Sequence, residues 1–404
     1  MTDLIERFLK YVSIDTSSDE RSETCPSTER QLDLARLLAQ ELDAMGAKGA
    51  RVDEIGYVYA EIPANTAGQP VIGLIAHMDV VNSVKSSDIH PRRLRYEGGD
   101  IVLNEAEGII MRAADFEALG RLAGHELIVT DGTTLLGADD KAGVAEIMQL
   151  AEHLIAHPEF PHGTVKIGFT PDEEIGRGAD RFDVAGFGAD FAYTLDGDAA
   201  GGIEYENFNA AAARITVRGR SIHPGSAKNK MLHACKVAME FHGMLPVRET
   251  PENTEGYEGF FHLIQMSGSE EQAELAYIIR DHDRGRFAAK KDRIRKIADY
   301  LNDKYGAGTV TVALRDQYEN MKEIIDRNPE IIARAERAVR SAGLTPFSKP
   351  VRGGTDGARL CYMGLPCPNL GTGGGNFHGK FEYVSATEMR QMLEVLKALV
   401  KADG

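Results

Sequence analysis

Short apolar runs, each broken off by acids or a histidine, recur along the first half of the chain. VIGLIA ends in His77-Met78-Asp79, VKIGFTP ends in Asp172-Glu173-Glu174, and FAYTL ends in Asp196. Runs of this length predict buried strands at Val71–Ala76, Val165–Thr170 and Phe191–Leu195. Between them the period is helical. Leu34, Leu37, Leu38, Leu42 and Met45 share one face of a helix over Gln31–Met45, and Gly46 supplies its C-terminal cap. A further helix follows Lys141 and stops at Pro158, and MTDLIERFLKYVSIDT reads as a short amphipathic helix. This alternation predicts a mostly parallel sheet with helices on both faces. Ligands of such sheets gather beyond the carboxyl ends of the strands, where the acidic clusters fall. Residues 82–130 are polar and Gly-containing, and predict an excursion of short hairpins near the site.

A second pattern starts near Asn209. Strand, helix, two strands, helix and strand follow in turn (AAARITVRG, Met231–Leu245, GFFHLIQMSG, AELAYIIRD, Arg286–Lys304, TVTVALRD). That βαββαβ order is the ferredoxin-like split motif. The chain then returns to helix and glycine-rich loop signals at Pro329–Ala342, RGGTDGARL and GTGGGNFHGK. The expectation is therefore an inserted domain over 209–319 within a catalytic domain of 1–208 and 320–404, because His378 must rejoin the early clusters.

Composition narrows the class. The 404 residues are long for one core, and 43% hydrophobic with 27% charged is ordinary for a globular protein. A net charge of -16 argues against a nucleic-acid partner. The first residues read as an amphipathic helix and not as a signal peptide, and no apolar run approaches the ~20 residues that span a bilayer. The four cysteines, Cys25, Cys235, Cys361 and Cys367, have no C-x-x-C spacing. Unpaired thiols of this kind fit the reducing cytoplasm.

The acids and histidines carry the chemistry. Alternation places His77 and Asp79 on one side of an extended segment, so Asp79 is expected to orient the imidazole. Asp139 and Asp140, in LLGADDKAG, repel each other unless a cation lies nearby. Asp139 is assigned as a carboxylate bridging two metals, with Asp140 beside it. Neighbours in extended chain point opposite ways, so Glu174 is assigned to metal and Glu173 to general base. One metal then takes His77, Asp139 and Asp196, and the other Asp139, Glu174 and His378, with a bridging hydroxide completing both. Imidazole with carboxylate suits zinc, with cobalt or manganese as substitutes. GGNFHGKF resembles a phosphate loop but lacks the Ser/Thr after Lys380 and a strand-to-helix setting, which rejects a nucleotide.

IAHMDV, GADDKAG, TPDEEIGRGA, TLDG and GTGGGNFHGKFE resemble the motif set of the di-zinc peptidases that include carboxypeptidase G and aminoacylase. YLNDKYGAGTVTVALRDQYENMKEII and SIHPGSAKNKM resemble a branch of that family that releases the N-terminal residue of tripeptides. The resemblance implies a zinc-peptidase-like catalytic domain, an inserted lid used for homodimerisation, and two zinc ions per subunit. It carries over His77, Asp139, Glu174, Asp196 and His378 as metal ligands, Glu173 as base and Asp79 as orienting acid. It implies a cis bond between Asp139 and Asp140. It implies that His223 reaches across the dimer to polarise the scissile carbonyl. Arg280 is expected to grip the terminal carboxylate of the peptide through two N–H bonds. A deacylase or dipeptidase on the same site is the nearest alternative. A metal-binding scaffold without activity is a second, against which the intact Glu173 argues.

Overall fold

The apolar runs that end in acids form the buried centre of one sheet. Ile72–His77 lies parallel between Val165–Thr170 and Phe191–Gly197, with Ile72 opposite both Val165 and Phe191. Asn369–Gly371 adds a fourth parallel strand beside Phe191–Gly197. Every residue of Ile72–His77 is buried, as a strand covered on both faces requires. Lys48–Val52, Val58–Ile62 and Ile203–Glu204 pair antiparallel at the two edges, making seven strands. The sheet is thus parallel where it is buried and antiparallel at its margins, and the edge strands were not foreseen.

The structure is a computed structural model that describes residues 2–402. It has two compact units. The first is Met1–Tyr205 with Glu323–Lys349 and Thr355–Gly404; the second is Glu206–Lys322 with Pro350–Gly354.

In the first unit the helix Gln31–Met45 ends at Gly46, whose φ is 99°, the left-handed position that glycine fills without strain. Leu4–Val12 is capped by Asp3, which accepts the Ile5 N–H at 3.0 Å. Ala138–Ala156 buries most of its surface, but Asp139 and Asp140 are not helical in φ and ψ, so regular helix starts only after them. The 82–130 excursion contains the hairpin Ile101–Asn104 with Ile109–Met111. It also supplies Arg92–Arg95 and Glu126–Val129 to a four-stranded sheet completed by Tyr383–Ser385 and Gly374–Gly375. His378 lies in the loop joining the last two strands.

The second unit has the strands Asn209–Arg218, Phe260–Gly268, Gln272–Asp281 and Val310–Tyr318, with helices Ala234–Gly243 and Arg284–Tyr305. All pairings are antiparallel, and Asn209–Arg218 sits between Gln272–Asp281 and Val310–Tyr318. This is the ferredoxin-like arrangement, with its own core around Ile215, Phe241, Leu275, Ile294 and Leu301. Pro350–Gly354 joins this unit because Arg352 donates to the carbonyls of Gly256 and Glu258 at 3.0 and 2.8 Å. Among the described residues no helix is long and apolar enough to cross a membrane, and all four cysteines are free.

Candidate metal centre

Parallel strands end on the same side, so the turns after them converge. His77 closes its strand with a buried ring, 2% exposed. Its Nδ1 donates to the backbone carbonyl of Asp79 at 3.0 Å. That bond leaves Nε2 as the free ligand atom. Nε2 faces Asp139 Oδ1 at 2.9 Å and Asp196 Oδ1 at 3.5 Å. The other oxygen of Asp139 faces His378 Nε2 at 3.1 Å, and the same nitrogen is 2.9 Å from Glu174 Oε2. Two groups result, His77–Asp139–Asp196 and Asp139–Glu174–His378, each with its candidate ligand atoms within 4.8 Å of one another. Asp139 belongs to both. The peptide bond between Asp139 and Asp140 is cis.

Backbone amides hold these side chains. The Asp79 carboxylate accepts the N–H groups of Glu173 and Glu174 at 2.9 and 3.2 Å, while its Oδ1 is 3.5 Å from His77 Nδ1. It therefore grips the glutamate turn more closely than the imidazole, which its backbone carbonyl orients. Asp140, whose role the sequence left open, accepts the His77 N–H and the Gly143 N–H, both at 3.2 Å. It ties the end of the strand to the start of the helix. Glu382, which sequence reasoning missed, accepts the N–H groups of Leu136, Gly137 and Asp139 at 2.9, 2.8 and 3.0 Å. It fixes the His378 loop against the Asp139 turn. The signal for it was its place as the last residue of GTGGGNFHGKFE, just ahead of the apolar run YVS.

Electrostatics test whether these residues fit a metal. Burial pushes the Glu173 and Asp140 carboxyls well above the usual range and raises that of Asp196. Glu174 is pushed up to about 7 by burial and by Asp139. The centre therefore lacks positive charge. Two imidazoles supply it as protons: His378 is pushed up to about 10 by hydrogen bonds to Asp139 and Glu174. For His77, burial favours the neutral ring, but hydrogen bonds to Asp139, Asp196 and Asp79 outweigh it and hold the pKa well above normal. Asp139 is buried too, yet His378 and His77 hold its carboxyl below the usual range. Divalent cations would displace both imidazole protons. Glu174 Oε1 is buried without a hydrogen-bond partner, an acceptor that a cation would satisfy. The donor set fits a pair of borderline metals such as zinc.

His223 and Arg280 lie in the second unit and join neither group. His223 is exposed and its Nδ1 accepts the Gly225 N–H at 3.2 Å. Arg280 is 9% exposed. It donates to the carbonyls of Ile279 and Ala211 at 3.0 and 3.3 Å and lies over the Tyr318 ring at 5.3 Å.

Residues 129–402 match the family described as Peptidase family M20/M25/M40. The chain belongs to peptidase family M20/M25/M40. Peptidase T of Geobacillus kaustophilus (strain HTA426) is 53% identical over 401 residues, spanning 99% of this chain and 98% of that protein. Peptidase T of Alkaliphilus oremlandii (strain OhILAs) is 52% identical over 405 residues, 99% of each. The chain is thus a peptidase, a hydrolase of peptide bonds. The crystal structure of aminopeptidase PepT from Bacillus cereus ATCC 10987 superposes with a TM-score of 0.77 at 22% identity, covering 98% of this chain and 97% of that one. The YXEP protein of Bacillus subtilis, a dinuclear metal-binding M20 peptidase, superposes with a TM-score of 0.67 at 17% identity, covering 98% and 96%. Both likenesses establish the M20 fold for this chain.

Proposed function

We propose that this M20 peptidase is a dinuclear zinc aminopeptidase that releases the N-terminal residue of tripeptides. One observation carries the reading: two three-residue ligand groups share Asp139, whose two oxygens face different histidines. Zinc bound by these groups supplies Lewis acidity, polarising a peptide carbonyl and making water acidic enough to attack it. His77, Asp139 and Asp196 would hold one ion; Asp139, Glu174 and His378 would hold the other. Glu173 takes the proton of the attacking water and returns it to the departing amine as the C–N bond breaks. What supports Glu173 in that role is a carboxyl without a hydrogen bond of its own among the described residues, beside the metal ligand Glu174. Asp79 holds both glutamates through their N–H groups.

The substrate and assembly are parts of the same proposal. Arg280 takes the terminal carboxylate in a bidentate pair, which would measure peptide length. In its support, no carboxylate lies within ion-pair distance of Arg280 among the described residues. His223 of a partner subunit donates to the carbonyl oxygen in a cytoplasmic homodimer. Support for dimerisation comes from Phe260–Gly268, an edge strand of its sheet with Ile264 58% exposed, a surface that a second copy can cover.

The test is turnover of Ala-based di-, tri- and tetrapeptides and an N-acetyl amino acid by zinc-reconstituted protein, with a chelator control. Tripeptides alone should be cleaved, with release of the N-terminal residue and loss of turnover in chelator. Preference for the dipeptide or the acyl substrate would overturn the tripeptide assignment, and chelator-resistant turnover would overturn the metal mechanism.

A further inference from the structure

The turn carrying Glu173 and Glu174 is held from outside the metal centre. Asp172, the residue before Glu173, has a φ of +61°. Side chains rarely adopt that left-handed conformation unless their surroundings enforce it. The Asp172 residue is 1% exposed. Its carboxylate accepts the Ser27 N–H at 2.7 and 3.0 Å and the Gln31 Nε2 donor at 2.8 Å. Its own N–H donates to Gln31 Oε1 at 3.1 Å. The buried Gln31 amide thus reads both the backbone and the side chain of Asp172. On the other side of the turn, Asp79 receives the next two N–H groups, those of Glu173 and Glu174.

Three successive N–H groups are therefore spent on side chains at least 94 positions away. A surface turn with three acids could satisfy them with water. Asp79 already belongs to the centre, but Gln31 and Asp172 do not. Gln31 is the first residue of the helix Gln31–Met45, so a rigid element sets the path of the turn.

We propose that Gln31 and Asp172 are positioning residues that fix the Glu173 carboxyl, and through it kcat, without touching substrate or metal. The inference rests on Glu173 being the general base. Displacing a reacting group by about 1 Å can cost on the order of 100-fold in rate.

Three variants test it. Asp172→Gly accepts the positive φ but removes the carboxylate. Asp172→Asn also accepts it and keeps an oxygen acceptor. Gln31→Met fills the same space without the amide and leaves the turn's own sequence intact, so it carries the test if Asp172→Gly fails to fold. For Asp172→Gly and Gln31→Met, kcat on a tripeptide should fall about 10- to 100-fold, with KM and bound zinc unchanged. Asp172→Asn should restore most of kcat. In the metal-free protein, the amides of Glu173 and Glu174 should exchange with deuterium faster in the two disruptive variants than in the parent or Asp172→Asn. Unchanged kcat or unchanged exchange in both disruptive variants would overturn the proposal. So would loss of zinc in step with kcat, because the effect would then run through Glu174. Glu173→Gln separates the two failures. If that variant keeps full turnover, the base reading falls; if it is inactive while both disruptive variants are normal, only the positioning role falls.

Discussion

Asp139 turns its two oxygens to different partners, Oδ1 to His77 and Oδ2 to His378. A surface aspartate has no reason to be shared in this way; one between two cations does. Among the described residues the Glu173 carboxyl makes no hydrogen bond, and the proposed base role calls for a carboxyl that can exchange a proton. Changing Glu173 to Gln keeps the shape and removes that exchange. Turnover should fall about 100- to 10,000-fold while zinc content and melting temperature hold, as metal analysis and calorimetry would measure. Near-normal turnover would remove Glu173 as the base. At this scale the acids and histidines were legible because carboxylates and imidazoles are poor core material and stand out after apolar runs. Glu382 and Gln31 were not legible. Each works by bonding groups far away in sequence, and the neighbouring residues do not say which.

The helix read after Lys141 lies within the element Ala138–Ala156, whose regular part starts after the acid pair. Its apolar length and its stop before Pro158 were visible in the chain. What the chain did not show is why it starts there: Asp139 and Asp140 leave helical geometry where their carboxylates meet His77, His378 and the backbone. Gly143 packs this helix closely against Leu195 and Asp140. A Cβ there would lie 2.2 Å from the Leu195 carbonyl and 2.5 Å from Asp140 Oδ1. Alanine favours a helix over glycine by about 1 kcal/mol in open solvent, but the clash dominates here. Gly143→Ala should therefore destabilise the fold by about 1–3 kcal/mol, read as a lower denaturation midpoint. A stabilised variant would show that this contact relaxes freely. Elsewhere, Gln31–Met45 was found to the residue, since its periodicity and Gly46 agree. The antiparallel edges of the main sheet left no such mark, because an edge strand needs only one apolar face.

At the scale of the whole molecule, the chain divides into two units with separate cores. If His223 acts across a dimer, light scattering should give twice the chain mass, and His223→Ala should lower kcat about 10- to 1,000-fold. A fully active monomer would refute that role. The βαββαβ order was written in the sequence, since each period change marks an element and the order of elements limits the topology. The parallel sheet and the kinds of residue at its carboxyl ends were determined in the same way. Tertiary structure alone decided that Asp79 grips the glutamate turn with its carboxylate, that Glu382 holds the Asp139 turn, and that Gln31 reaches Asp172. The physical reason is range. Periodicity and capping act over a few residues and are printed in the chain. Amide capture depends on distances of about 3 Å between segments 94 or more residues apart, which only the packed fold brings together.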